Sequence, residues 1–260
     1  MRLARIAHPD GVAFASLEGD VDGDEATVHE IAEHPFGTPS HTGRSWPLAE
    51  VRLLAPILPT KIIAVGKNYA EHAAEFGSEV PESPVIFMKP STSVTGPNTP
   101  IKMPASSERV DFEGELAVVI GRPVKNVPAS KAAAVVRGYT IANDVTARDQ
   151  QRADGQWTRA KGYDTFCPLG PWIATDIDPA DLEISTEVDG EVKQASHTAK
   201  MVHTVGELIE FVSHIMTLLP GDVILTGTPE GVGPLTEGSN VTVTVSGIGS
   251  LSNPVQADSD

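Results

Sequence analysis

The run Asp111-Phe112-Glu113-Gly114-Glu115-Leu116-Ala117-Val118-Val119-Ile120 constrains this chain more than any other. Apolar and β-branched residues carry it to Ile120, and Gly121-Arg122-Pro123 ends it, which predicts a strand over 111–120. Side chains two apart on a strand share a face, roughly 6.5–7 Å from one another. Glu113 and Glu115 are therefore expected to point the same way, with Ala117 and Val119 behind them. Two anions side by side at the mouth of an apolar strand repel unless a cation or a proton lies between them. A divalent metal is the simplest answer. Asp144, in Asn143-Asp144-Val145-Thr146-Ala147-Arg148-Asp149, offers a third carboxylate.

Strand signals dominate from Lys61 onward, at 61–66, 85–89, 111–120, 138–144, 170–176, 182–188, 191–195, 222–226 and 240–246. Asp189-Gly190 between two alternating runs marks a two-residue hairpin. One helix is expected from about Ser130 through Arg137. A better one starts at Thr204, with Glu207 three residues later as a capping box, and runs to Pro220-Gly221. Steady strand–helix alternation is missing, and no Gly-rich dinucleotide turn follows the first core strand. The fold class expected is α+β, mostly β. Pro56 and Pro59 mark a boundary between a small β-rich N-terminal domain, residues 1–58, and a larger core over 59–258. In the first segment, Leu3–Ala7 and Val12–Leu17 flank Pro9-Asp10-Gly11, and a polar, His-rich passage covers 34–46. Its histidines, His8, His29, His34 and His41, lack metal-ligand spacing and read as surface or packing residues.

With 260 residues, 40% of them apolar, the chain can bury a real core. A net charge of −16 argues against a nucleic acid or an anionic membrane as partner, since phosphate binding needs clustered Lys and Arg. No apolar run approaches the roughly 18 residues of a membrane span, and no charged-then-apolar leader opens the chain. The single Cys167 cannot form an internal disulfide, which fits a reducing cytoplasm; beside Phe166, Pro168 and Leu169 it reads as an inert packed thiol.

Four constellations carry chemistry. Glu113, Glu115 and Asp144 are hard oxygen donors, which select Mg²⁺ or Mn²⁺, with Ca²⁺ possible, over Zn²⁺. In a chain this acidic, the same residues could equally be unrelated surface acids. His72 and Glu75, three apart on a helical turn, can form an acid–imidazole pair that takes a proton from water, or else an exposed ion pair. Lys89, at the end of the Val85–Lys89 strand, and Lys161 supply cations that are either solvated or turned toward an acidic ligand. Three carboxylates and one divalent ion leave a charge of −1, so a dicarboxylate would need positive charge nearby, and one or two lysines could provide it. Thr226-Gly227-Thr228-Pro229 offers N–H groups and hydroxyls to an anion, or serves only as a turn.

Taken in order, these segments resemble the fumarylacetoacetate hydrolase family. The resemblance rests on Val65-Gly66-Lys67-Asn68-Tyr69 with His72 and Glu75, Met88-Lys89-Pro90, Asp111–Leu116, Asn143–Asp149, Lys161 with Asp164-Thr165-Phe166, and Leu225–Pro229. It covers roughly 60–250 and implies a multilayer β-sheet core with a few peripheral helices, a small N-terminal domain and a homodimer. It further implies Mg²⁺ or Mn²⁺ on Glu113, Glu115 and Asp144. Lys89, Arg148, Gln151 and Thr228 would then contact a small keto or enol acid, and His72, Glu75 and Lys161 would do the chemistry.

The activity this suggests is hydrolysis of a C–C bond in an acylpyruvate-type or 2-oxo/enol dicarboxylic acid. His72, oriented by Glu75, would activate water, and the metal and Lys161 would stabilise the resulting enolate. The alternative on the same site is decarboxylation of oxaloacetate or isomerisation of 2-hydroxyhepta-2,4-diene-1,7-dioate. A keto-acid binder without turnover is a third reading, opposed by the general base it would not need.

Overall fold

Both faces of the Gly114–Ile120 strand are buried, which places it at the centre of the fold. On one face Leu116, Val118 and Ile120 join Leu208, Ile209 and Val212 of the Val205–Ile215 helix in one apolar cluster. On the other, Ala117 and Val119 pack with Ile62, Ala64, Val223 and Leu225. Each fully buried aliphatic side chain contributes roughly 1.5–3 kcal/mol, so the strand is anchored from both sides. The computed structural model describes residues 1–21, 26–75 and 77–258.

Among the described residues, the largest sheet has twelve strands. Its main path runs His41–Pro47, Thr27–Ile31, Gly11–Glu18, Arg2–His8, Cys167–Ala174, Val136–Asn143, Gly114–Ile120, Val223–Leu225, Ile62–Gly66 and Val85–Lys89. A five-stranded sheet (Glu191–His197, Glu183–Val188, Asn240–Val245, Gly249–Ala257, Ile101–Met103) packs behind it. A three-stranded sheet of Thr146–Ala147, Val110–Phe112 and Gly233–Pro234 caps one end. The fold is mostly β, with several sheet layers and few helices, as expected. No helix among the described residues is long and apolar enough to cross a membrane.

Two expectations need correction. The strand predicted over 111–120 is two strands in different sheets, Val110–Phe112 and Gly114–Ile120. At the break, Glu113 N–H donates to the Asn143 side-chain oxygen at 2.9 Å, and Gly114 N–H donates to Gln194 Oε1 at 3.1 Å. The five-stranded sheet comes so close here that a Cβ on Gly114 would lie 2.2 Å from Thr186 Oγ1. The helix expected from Ser130 to Arg137 is a 3₁₀ segment, Ala129–Val135, and Val136 and Arg137 already belong to the next strand. Its alanines favour a helix, but Val135 accepts from Gly121 N–H at 2.7 Å, which draws the chain into the sheet.

The Thr204 helix forms with its capping box intact: Thr204 N–H donates to Glu207 Oε2 at 2.8 Å and Glu207 N–H to Thr204 Oγ1 at 3.4 Å. It ends at Ile215, short of Pro220.

Candidate metal centre and active site

The break at Glu113 builds the site. Asp144 follows the Val136–Asn143 strand and donates its N–H to Glu113 C=O at 2.8 Å, which brings its side chain beside the two glutamates. One carboxylate oxygen from each of Glu113, Glu115 and Asp144 lies within 4.8 Å of the others, and all three residues are buried. Octahedral Mg²⁺–oxygen distances of about 2.0–2.1 Å need donor oxygens roughly 3–4 Å apart, close to this spacing.

Cations pin two of the three acids. Lys161 Nζ bridges Glu113 Oε2 and Asp144 Oδ2, each at 2.6 Å. Lys89 Nζ donates to Asp144 Oδ1 at 2.6 Å and Arg148 Nη2 to Glu113 Oε1 at 2.6 Å. Burial alone would raise the Glu113 carboxyl, but Lys161 and Arg148 hold it well below the usual range. Burial also opposes the Lys161 charge, yet Asp144 and Glu113 outweigh it and raise its pKa.

Glu115 differs. Its one hydrogen bond among the described residues comes from Gly227 N–H, at 2.7 Å, and no Lys or Arg forms an ion pair with it. Burial, then the neighbouring Asp144 and Glu113 charges, push its pKa well above the ordinary value. A buried acid that resists ionisation, facing two ionised neighbours, fits a divalent cation whose charge would relieve all three. Glu113, Glu115 and Asp144 are the residues that could hold it.

A cavity of about 210 Å³ opens on this cluster. Of the residues singled out in the sequence, His72, Arg148, Gln151, Lys161 and Thr228 line it together with the three acids. Lys89 does not; it sits fully buried behind Asp144. Glu75 is also outside the lining, but its Oε2 lies 3.4 Å from His72 Nδ1 and accepts from Gly231 N–H at 3.3 Å. Burial is the main force on the His72 imidazole and lowers its pKa, against an opposing pull from Glu113. His72 is therefore neutral near pH 7. Gln151 accepts from Arg148 Nη1 at 2.6 Å, and Thr228 Oγ1 donates to Gly114 C=O at 2.8 Å. Cys167, fully buried, has its thiol pushed up to about 12 by burial, which leaves it no role as a nucleophile.

Two supporting residues carry no signal that the spacing rules detect. Asp111, fully buried, accepts from Arg148 Nε at 2.9 Å and from Arg109 Nε at 2.8 Å, and so aims Arg148. Gln194, on the five-stranded sheet, donates to Thr228 Oγ1 at 2.8 Å while accepting from Gly114. Both act across the junction between sheets, which only the folded chain reveals.

The chain is similar to several known proteins. The family model "Fumarylacetoacetate (FAA) hydrolase C-terminal" matches residues 61–256, and the model "Rv2993c-like, N-terminal" matches 1–56. Protein Rv2993c of Mycobacterium tuberculosis is 63% identical over 259 residues, covering 98% of each chain. Oxaloacetate tautomerase Fahd2a of Rattus norvegicus, a mitochondrial protein, is 48% identical over 192 residues, covering 72% of this chain and 61% of that one. Among solved structures, 5-carboxymethyl-2-hydroxymuconate delta-isomerase from Mycobacterium smegmatis superposes with a TM-score of 0.94 at 65% identity, covering 99% of this chain and 100% of that one. Maleylpyruvate hydrolase from Sphingobium sp. SYK-6, in complex with manganese(II) and pyruvate, gives 0.81 at 31% identity, with both chains covered completely. The chain belongs to the fumarylacetoacetate hydrolase family.

Proposed function

We propose that this protein is a divalent-metal-dependent enzyme that interconverts the keto and enol forms of 2-oxo dicarboxylic acids. The observation that carries the proposal is the neutral, buried His72 on the wall of the cavity formed by Glu113, Glu115 and Asp144. The names of the tautomerase and isomerase relatives, at 48% and 65% identity, support a proton shift over other chemistry on this scaffold. A bound divalent cation would act as a Lewis acid, drawing electron density from the oxo group and making the adjacent C–H acidic.

The chain's own residues then move and hold the proton. His72 takes it from the carbon beside the oxo group, with Glu75 at Nδ1 setting the ring's orientation and balancing the imidazolium formed. Lys161, kept charged by Glu113 and Asp144, faces the oxygen on which negative charge gathers. The His72 imidazolium returns its proton to that oxygen as the enol forms: one C–H bond breaks, one O–H bond forms, His72 ends neutral, and no redox partner is needed. Lys89 serves as a positioning residue behind Asp144, while Arg148, Gln151 and Thr228 fix the substrate.

C–C hydrolysis on the same site is the second reading. It is favoured by the His72–Glu75 contact, an arrangement equally suited to taking a proton from water, and by the hydrolase relative at 31% identity. Deuterium uptake at C3 of oxaloacetate, followed by NMR with Mg²⁺- or Mn²⁺-loaded protein, decides between them. Exchange faster than in metal-containing buffer, and lost in His72→Gln, is the expected result. No acceleration of exchange, together with cleavage of an acylpyruvate, would replace the first reading with the second.

A further inference from the structure

The lysines that the sequence offered to a dicarboxylate substrate are already engaged. Lys89, Lys161 and Arg148 are buried and bonded to Asp144, Glu113 and Asp111. With Glu115 ionised, as metal binding requires, four buried carboxylates, Asp111, Glu113, Glu115 and Asp144, face three buried cations, a net charge of −1. A divalent ion brings the pocket to +1, enough to match one substrate carboxylate and no more. A second carboxylate needs cations from elsewhere.

Two others line the same cavity. Lys67 and Arg152 contribute to its wall, and neither forms an ion pair among the described residues. Arg152 stands one turn beyond Arg148 on the Arg148–Ala153 helix, so the two share a face, with Arg152 toward solvent. Lys67 follows the Ile62–Gly66 strand with a left-handed backbone, φ +60°, unusual for a residue with a long side chain. The turn is held in place by its neighbour: the Asn68 side chain donates to Thr226 C=O at 2.8 Å and accepts from His203 N–H at 2.8 Å. Trp157 lines the same cavity and packs against the residue before Lys67, so near that a Cβ on Gly66 would lie 2.8 Å from its ring.

From this we infer that Lys67 and Arg152 form a clamp for a carboxylate at the substrate end remote from Glu113, Glu115 and Asp144. The clamp selects dicarboxylates over monocarboxylates. It rests on the proposed 2-oxo-dicarboxylate reading of the site and assigns the residues that hold the second charged end. Two guanidinium- or ammonium-based contacts to one carboxylate would together change affinity by about a hundredfold, roughly tenfold each for partly solvated pairs.

The test compares two stable 2-hydroxy acids that differ by one carboxylate, malate and lactate, by calorimetry on Mg²⁺-saturated protein. Wild type should bind malate about a hundredfold more tightly than lactate. Lys67→Asn, whose side chain tolerates the left-handed backbone, and Arg152→Gln should each cut that ratio about tenfold; Lys67→Arg should restore most of it. A Mg²⁺-induced rise in melting temperature, present in every variant, shows that the metal centre is intact. A wild-type ratio near one, or a ratio that survives in the double variant, overturns the clamp. Because affinity is read and not turnover, strong malate preference without deuterium exchange would sink the proposed reaction while leaving the clamp standing.

Discussion

Glu115→Gln separates the metal site from the fold. In metal-free protein burial and the neighbouring Asp144 and Glu113 charges raise the pKa of Glu115 and favour its protonated form, with which glutamine is nearly isosteric. The amide oxygen can still accept from Gly227 N–H, so the variant without metal should be at least as stable as wild type. Metal binding tells the two apart. A ligand at 100 times its Kd stabilises the native state by about 2.7 kcal/mol, which in a chain of this size raises Tm by roughly 5–11 °C. Losing an anionic ligand should weaken Mg²⁺ at least about a hundredfold, leaving about 0.4 kcal/mol, a shift of roughly 1–2 °C. The raised pKa of Glu115 links metal binding to loss of its proton, so wild-type Mg²⁺ affinity should rise with pH and the variant's should depend on pH less. The assay is thermal unfolding with and without Mg²⁺ at fixed concentration, repeated at two pH values. A variant that keeps the full wild-type shift would refute the assignment of Glu115 as a metal donor. One that unfolds early without metal would refute the upward shift of the Glu115 pKa.

Other perturbations test the neighbouring parts. His72→Gln should lower kcat by about 10²–10⁴ while leaving the Mg²⁺-induced Tm shift in place, measured by exchange kinetics and melting in parallel. Burial holds the folded pKa of His72 below its unfolded value of 6.5, so below that pH the unfolded chain binds a proton the folded one refuses. The stability contributed there is lost as pH falls, and urea melts at about pH 7.5 and 5.5 should show a smaller loss in His72→Gln. Gly114→Ala, forcing a Cβ against Thr186 and Val243, should cost about 1–3 kcal/mol and weaken the metal shift; a neutral outcome would mean the two sheets can move apart there. Asp222, buried, is paired with Lys61 and accepts from Thr60 Oγ1 at 2.5 Å and Leu219 N–H at 2.6 Å; Asp222→Ala should cost about 3–5 kcal/mol in chemical denaturation.

The sequence marked the acids that converge more readily than the strand break that brings them together. The two-residue spacing of Glu113 and Glu115 marked them as a pair but left unrelated surface acids equally open; their burial together with Asp144 separates the two readings. Strands with plain alternation, such as Asn240–Val245 and Glu183–Val188, were readable. Gly249–Ala257 was not, because Asn253 and Pro254 read locally as breakers. In the fold Asn253 is buried, and its side-chain amide donates to Gly96 and Thr99 carbonyls at 2.9 and 2.8 Å, contacts some 155 residues away in sequence that no local rule contains. Lys89 was misleading for the same reason. A lysine before Pro90 at a strand end reads as solvated or as turned toward an acidic ligand, but in the fold Lys89 is buried against Asp144, 55 residues onward, and is absent from the cavity lining.

The interruption at Glu113 shows why fold and chemistry cannot be separated in this chain. An unbroken strand through 111–120 would set Glu113 and Glu115 roughly 6.5–7 Å apart along one sheet, wide for sharing a small cation. Passing from the three-stranded sheet to the large one at Glu113 brings oxygens of both glutamates within 4.8 Å of Asp144 and of each other. The chain can turn there because Asn143 and Gln194 supply the hydrogen bonds that ladder partners otherwise would. Asn143→Ala therefore disturbs geometry without removing a charge. It should leave a buried N–H of Glu113 unsatisfied, costing about 1–3 kcal/mol, and should weaken Mg²⁺ about tenfold or more although all three acids remain. Calorimetric Mg²⁺ affinity unchanged in that variant would mean that the ligands hold their spacing without the bend, and the link drawn here between sheet junction and metal site would fail.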